Sequence, residues 1–165
     1  MKLIHSHEKD FMEQTLIIAK PDALQRGFIG EIISRMERKG LKLIGLKMAS
    51  LDSVLLKAHY SEHIEKPFYT DLEEFMKSSP VVLMAWEGYE CVASVRLVVG
   101  STNPRHADAG TIRGDLAIGN GRNLVHASDS KQSGTEEVNR FFSSDELFHY
   151  DKSEFQHVYP PQERT

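Results

Sequence analysis

Cysteine, long apolar runs and surplus basic charge are what this chain has least of, and each scarcity closes off a class of function. The single cysteine, Cys91, cannot form an internal disulfide, which fits a reducing compartment. The apolar run VVLMAW, residues 81–86, is far too short to span a bilayer. The amino-terminal MKLIHSHEKDFMEQ lacks the apolar centre of a signal peptide. A cytoplasmic protein with no membrane role is therefore expected. With 20 Lys plus Arg against 24 Asp plus Glu, the formal charge of −4 argues against general attraction to nucleic acid. No dedicated nucleic-acid site is expected, and any polyanion must be met locally. Glycine-based phosphate motifs are missing as well: there is no G-x-x-x-x-G-K-[ST], no G-x-G-x-x-G and no protein-kinase H-R-D or D-F-G set.

What is present describes one ordinary soluble domain: 165 residues, 40% hydrophobic and 27% charged. Residues 1–12, with His5 and His7, read as a flexible polar extension, 13–147 as the domain, and 148–165 as an aromatic tail without periodicity. QTLIIA at 14–19 has the β-branched character of a buried strand, and it runs into the turn Lys20-Pro21-Asp22. Ile29, Ile32, Ile33 and Met36 fall at helical spacing ahead of Gly40, a left-handed stop. Leu41 to Lys47 alternates like a half-buried strand. Asp52 can cap a helix, TDLEEFMKSS reads as another, and PVVLMAW as the third strand. GYECVASVRLVVG reads as a helix, with a strand as the alternative, and NLVHA as the fourth strand. Ser133 and Glu136 form a capping-box pattern for a final helix. This order predicts a ferredoxin-like βαββαβ fold: a four-stranded antiparallel α+β sheet with helices on one face, plus a long loop from Gly100 to Arg122.

The chemistry centres on GRNLVHASDS, residues 121–130. His126 ends a short apolar run, so it is either a core histidine satisfied by a backbone hydrogen bond or a nucleophile at a pocket rim. Nearby cations are Arg96, Arg105, Arg113 and Arg122, with Lys20 at a strand end. Taken singly, each is a solvated surface charge. Arg96, however, falls on a helical stripe otherwise suited to burial, where a cation must snorkel or meet an anion. Thr102 adds a hydroxyl, and the glycines of GTIRGD let backbone approach a ligand beside Arg113. Phosphate is the natural ligand. A neutral imidazole can attack a terminal phosphoryl group and carry it covalently, given a partner that fixes its tautomer. Both Glu136 and Glu137 are placed to be that partner.

AKPDALQRG, KPFYTDLEEFM, TNP, GTIRGD and GRNLVHASDS, in this order and spacing, resemble nucleoside diphosphate kinases from about Glu13 to Leu147. The resemblance implies a ping-pong enzyme. It would take the γ-phosphate of ATP or another nucleoside triphosphate onto His126 and pass it to a nucleoside diphosphate, with Mg²⁺ bridging the nucleotide phosphates and no metal ligated by the protein. It implies that Glu137 fixes the His126 ring, with Ser128 bonded to that glutamate, and that Arg96, Thr102 and Arg113 hold phosphates. Lys20 and Asn123 would meet the sugar hydroxyls and the bridging oxygen, Tyr60 would steady the Lys20 and His126 region, and Phe68 would stack on the base beside Leu72. Without the resemblance, Phe68 reads as core packing. It gives His59 and His63 no metal role, leaving them on a solvated helix face. It also implies a homo-oligomer, a hexamer or in some bacteria a tetramer; the loop around Pro104 and the tail near Phe155 and Tyr159 would add subunit contacts. The sequence departs from the family at Ala127 (usually glycine), Ala109 (usually proline), Leu116 (usually aromatic) and Asn120 (usually apolar, opposite the base). The rival class is a binding-only regulator on the same fold, which has no chemical need for both His126 and Glu137.

Overall fold

A computed structural model describes residues 12–163. Strand β1 (Met12–Ala19) is followed by helices α1 (Pro21–Gln25) and α2 (Ile29–Arg38), then strand β2 (Lys42–Ala49). Helices α3 (Ser53–His59) and α4 (Tyr69–Lys77) lead to β3 (Val81–Tyr89) and α5 (Cys91–Val99). The long loop holds the short helix α6 (Ile112–Leu116); β4 (Val125–Ala127), α7 (Lys131–Phe141) and the four-residue α8 (Phe155–Val158) complete the order. The sheet order is β2-β3-β1-β4 with every pairing antiparallel, as the ferredoxin-like reading requires. Met12 already belongs to β1, one residue ahead of the expected domain start. His5, His7 and the rest of the expected extension lie outside the described residues.

Helices cover both faces of the sheet, which corrects the expectation of one. Leu16 and Ile18 of β1 point into a core shared with Leu56, Phe75 and Val138, so α3, α4 and α7 lie on that side. Ile17 and Ala19 point the other way, to Ala23, Ile32, Met36, Val95 and Ile112, so α1, α2, α5 and α6 cover the second. All four strand residues are fully buried. The physical sign was already in LIIA, which has no polar position to present to water.

Local signals set most helix ends. Asp52 caps α3 by accepting from the Leu55 amide at 2.8 Å, and Gly40 takes φ +95° just beyond α2. The start of α7 differs from the expected capping box: Ser130, in extended backbone, accepts from the Ser133 amide at 3.1 Å. Ser133 therefore lies inside the helix, and Glu136 instead accepts from Gln132 at 2.8 Å.

The tail lies along the free edge of β2. The Phe148 amide donates to the Ile44 carbonyl at 2.8 Å, the Tyr150 hydroxyl to Leu43 at 2.8 Å and the Lys152 ammonium to Leu41 at 2.9 Å. Edge groups that would otherwise invite a further strand are satisfied there. Tyr159 also packs within the chain, accepting from the Tyr89 amide at 3.3 Å.

Where α7 crosses β1, Gly134 lets the helix lie directly on the strand backbone; a Cβ there would run into the Gln14 carbonyl. Gly134→Ala gains roughly 1 kcal/mol of helix propensity, but backbone cannot step aside as a side-chain end can, and overpacking costs about 1–3 kcal/mol. The variant is expected to be less stable than the parent, measured by chemical denaturation; equal or greater stability would show that α7 can lift off β1.

Candidate active site

Strand β4 is only three residues long and pairs with β1 alone, setting His126 opposite Ile18. The His126 Nε2 lies 2.8 Å from Glu137 Oε2. Ser128 donates to the same oxygen at 2.7 Å and accepts the Leu16 amide at 3.0 Å. Burial pushes the Glu137 carboxyl up, yet the hydrogen bonds from His126 and Ser128 outweigh it and hold the group below the ordinary glutamate range. An ionised carboxylate accepts and does not donate, so in the neutral ring the proton sits on Nε2 and the lone pair on Nδ1. Of the two glutamates open on sequence, Glu137 is the one at the ring.

The histidine lines a cleft of about 950 Å³ with one cationic and one aromatic end. At the cationic end, Lys20 is 9% exposed and donates to Asn123 Oδ1 at 2.8 Å. The Asn123 amide in turn donates to the Thr102 carbonyl at 2.9 Å. Burial, then the charge of Arg113, lowers the Lys20 pKa to about 8. Arg113 is itself buried, and its guanidinium donates to the carbonyls of Asn123 at 3.2 Å, Gly100 at 3.0 Å and Val125 at 2.6 Å. Other N–H groups of the same fork are left for an anion. Burial and Arg96 bring its pKa down to about 10, so it stays cationic at neutral pH. Arg96, expected on a buried stripe, is exposed and lines the cleft with Thr102. Outside the cleft, Arg35 holds this loop by an ion pair to Asp115 at 2.8 Å and a bond to the Gly110 carbonyl at 3.0 Å.

At the other end Phe68 is 49% exposed, with Leu72 beside it in the cleft wall, so core packing does not describe this ring. Asn120 also lines that end, at the exposed tip of a turn closed by the Arg122 amide on the Gly119 carbonyl at 3.1 Å. The Arg122 guanidinium lies 3.8 Å over the Phe75 ring, and Arg105 donates to the Ile118 carbonyl at 3.3 Å. Tyr60 sits perpendicular to His126 with ring centroids 6.2 Å apart. Its hydroxyl is buried with no hydrogen-bond partner among the described residues, and burial pushes its ionisation above the ordinary tyrosine range. Ala127 does not have positive φ, so its extra methyl costs no backbone strain.

His59 departs from the solvated face expected for it. Its ring packs 4.4 Å from His126 and 5.0 Å from Phe141, and burial drives its pKa down to about 3, leaving it neutral. The signal was present in sequence: His59 follows Leu55 and Leu56 at helical spacing and so shares their apolar face. His63 does not pair with it; Lys66 Nζ lies 3.0 Å from His63 Nδ1 instead.

A histidine oriented by a carboxylate shares one cleft with buried cations and a half-exposed aromatic ring, an arrangement that suits a phosphotransferase working on nucleotides. The sequence model of the nucleoside diphosphate kinase family matches residues 13–147. Nucleoside diphosphate kinase of Archaeoglobus fulgidus is 47% identical over 148 residues, 90% of this chain and 98% of that protein. That of Staphylococcus saprophyticus is 51% identical over 142 residues, 86% and 95% of the two chains. Among solved structures, a halophilic nucleoside diphosphate kinase from Halobacterium salinarum in complex with CDP superposes with a TM-score of 0.87 at 42% identity, covering 89% of this chain and 98% of its own. The chain belongs to the nucleoside diphosphate kinase family. It is an enzyme that transfers the γ-phosphate of a nucleoside triphosphate to a nucleoside diphosphate, by the family's ping-pong route.

Below a pH of about 8 the free enzyme presents Lys20 as a cation, and above that value the charge is lost. Nucleotide affinity is expected to fall as pH rises through that window, by about tenfold, the scale of one charge-assisted hydrogen bond. Titration calorimetry with a nucleoside diphosphate measures it; a flat profile in the parent, or the same decline in Lys20→Gln, would remove Lys20 as the cause.

Proposed function

We propose that Nδ1 of His126 is the atom that carries the phosphate. The observation behind this is the 2.8 Å contact that engages Nε2 with Glu137 and so leaves only the other ring nitrogen with a lone pair. In the first half-reaction Nδ1 attacks the γ-phosphorus, the bond from that phosphorus to the β–γ bridging oxygen breaks, and the nucleoside diphosphate leaves with the electron pair. In the second, a terminal oxygen of the acceptor diphosphate attacks the same phosphorus and the P–N bond breaks. Lys20, Arg96 and Arg113 neutralise and position the phosphates, Thr102 adds a hydroxyl to them, and Asn123 fixes Lys20 and meets the sugar. Phe68 stacks on the base with Leu72 beside it; stacking accepts any base, which suits an enzyme that serves several nucleotides. Tyr60 packs against the reacting ring.

The substrate is the magnesium complex of the nucleotide. Among the described residues the grouping able to hold a metal is His59, His126 and Glu137. Two imidazoles and one carboxylate suit a borderline metal rather than Mg²⁺, which takes oxygen ligands and binds through substrate phosphates. Mg²⁺ would be carried by the nucleotide phosphates, where it would offset their charge.

We place the enzyme in the cytoplasm, because its single cysteine fits a reducing compartment, and as a homohexamer. No described helix is long and apolar enough to cross a membrane. Leu46, Met48, Leu97 and Ile118 are apolar side chains at 49–77% exposure that assembly would cover. The loop around Pro104 is offered as a subunit contact. The tail is a weaker candidate than its sequence suggested, because Tyr159 is ordered against its own chain.

Incubation with γ-labelled ATP and Mg²⁺ without acceptor is expected to give an acid-labile label that leaves onto added GDP. His126→Ala is expected to take up no label while still binding nucleotide, since the phosphate cations and Phe68 remain. Glu137→Ala keeps the nucleophile and should retain a reduced rate. A label on His126→Ala would sink the assignment, and equal loss in both variants would contradict the division of roles.

Asn120 offers an amide where relatives of this family usually place an apolar side chain. With the amide turned to the base, Asn120→Val is expected to shift kcat/KM unequally among ADP, GDP, CDP and UDP, by about 1 kcal/mol or less. A uniform shift across the four acceptors would show that the amide faces solvent.

A further inference from the structure

Just before His126 the backbone passes through Leu124 with φ +72°, although this side chain is wholly buried and has a Cβ. The Val125 amide donates to the Asn123 carbonyl at 2.9 Å across it. Residues 123–125 therefore form a γ-turn of the rare, strained hand. Such a conformation persists only where the surroundings over-determine it. Here the Lys20 amide donates to the Leu124 carbonyl at 2.8 Å, and the Arg113 guanidinium holds the carbonyls on either side. The remaining restraint is the Leu124 amide itself, which donates to Asp22 Oδ2 at 3.1 Å.

Besides this bond, the Asp22 carboxylate favours the charged form of Lys20 through space. Asp22 lies in the first turn of α1, and its side chain reaches out of that helix to Leu124. Its second oxygen, Oδ1, is buried without a partner among the described residues, an arrangement that is costly to maintain. Sequence reading sees only a turn aspartate after Pro21, because the residue it serves lies about a hundred positions away in the chain.

We propose that Asp22 is a positioning residue for phosphoryl transfer: its hydrogen bond holds Leu124 in the left-handed turn that sets Asn123 against Lys20 and brings His126 into line with Glu137. This rests on the reading of His126 as the phosphate carrier. Without the acceptor, Leu124 relaxes toward negative φ, and the residues on both sides of it turn with it.

The test is the single-turnover rate of phosphohistidine formation per folded enzyme, at saturating labelled ATP with Mg²⁺ and near neutral pH, alongside thermal unfolding. Asp22→Ala is expected to slow labelling by roughly tenfold or more. Asp22→Asn, which keeps an acceptor oxygen, should lose much less. The decisive variant is Asp22→Ala combined with Leu124→Gly. Glycine adopts positive φ without strain, so the double variant should label faster than Asp22→Ala even though loss of a buried leucine lowers its melting temperature further. A merely structural role predicts the reverse, with rate and stability falling together. Normal labelling by Asp22→Ala, a double variant slower than the single, or Asp22→Asn as slow as Asp22→Ala would each overturn the proposal. If the double variant does not fold, the comparison of alanine with asparagine decides alone. An unlabelled parent would remove the His126 reading and this proposal with it.

Discussion

Three backbone pairings between β1 and β4, at Ile17–Ala127, Ile18–His126 and Ala19–Val125, fix where the chemistry happens. Strand β4 has no other neighbour in the sheet, so its place depends on β1. That strand is immobilised by burial on both faces, with Leu16 to Ala19 fully enclosed. Its end then presents Lys20, and its Leu16 amide reaches Ser128, which reaches Glu137. His126, Glu137 and the buried Lys20 are thus all referred to one rigid strand. A site built on such a strand holds tighter geometry than one built on loops alone.

The electrostatics of the cleft follow from what it must receive. Lys20 and Arg113 are buried cations whose charged forms burial disfavours. Their hydrogen bonds are to an amide oxygen and to backbone carbonyls, neutral acceptors that orient without neutralising. A polyphosphate supplies the missing negative charge when it binds. His59 makes the contrast, since burial keeps it neutral against His126 and it adds no further positive charge beside the reacting ring. Next to His126, the Glu137 carboxylate is the group that carries negative charge, while Lys20 and Arg113 bring positive charge to the cleft.

Sequence periodicity carried the framework because strands, helices and caps are local. LIIA, the spacing of Ile29 to Met36 and the Asp52 cap each depend on residues within a turn or two of one another. The motifs around Lys20, Arg113 and His126 similarly announced phosphate chemistry. What escaped was decided between distant segments. Whether helices cover one face or two depends on tertiary packing, and only the lack of a polar residue in LIIA pointed to the answer. Ser130 displaced Ser133 as the cap because backbone conformation, not residue type, selects among several serines. His59 was misplaced because its chemistry suggests solvent while its position beside Leu55 and Leu56 puts it inside. The left-handed backbone at Leu124 had no sequence signal, since the residue that normally marks such a turn is glycine.

Ping-pong transfer imposes a further constraint, because donor and acceptor nucleotides must occupy the same cleft in turn with the phosphorus in the same place. Recognition then has to be firm at the phosphates and permissive at the base. The structure divides along that line. At the cationic end Lys20 and Arg113 are buried, and Arg113 is restrained by holding three carbonyls. The base end offers a half-exposed ring, Phe68, and the exposed turn tip that carries Asn120. Rigidity is thus concentrated where bonds are made and broken, and the strained turn at Leu124 lies within that rigid part, flanked by Asn123 and Val125. The same backbone carbonyls that restrain the turn also orient Arg113. Placing His126 and placing the Arg113 guanidinium are therefore one structural problem in this fold.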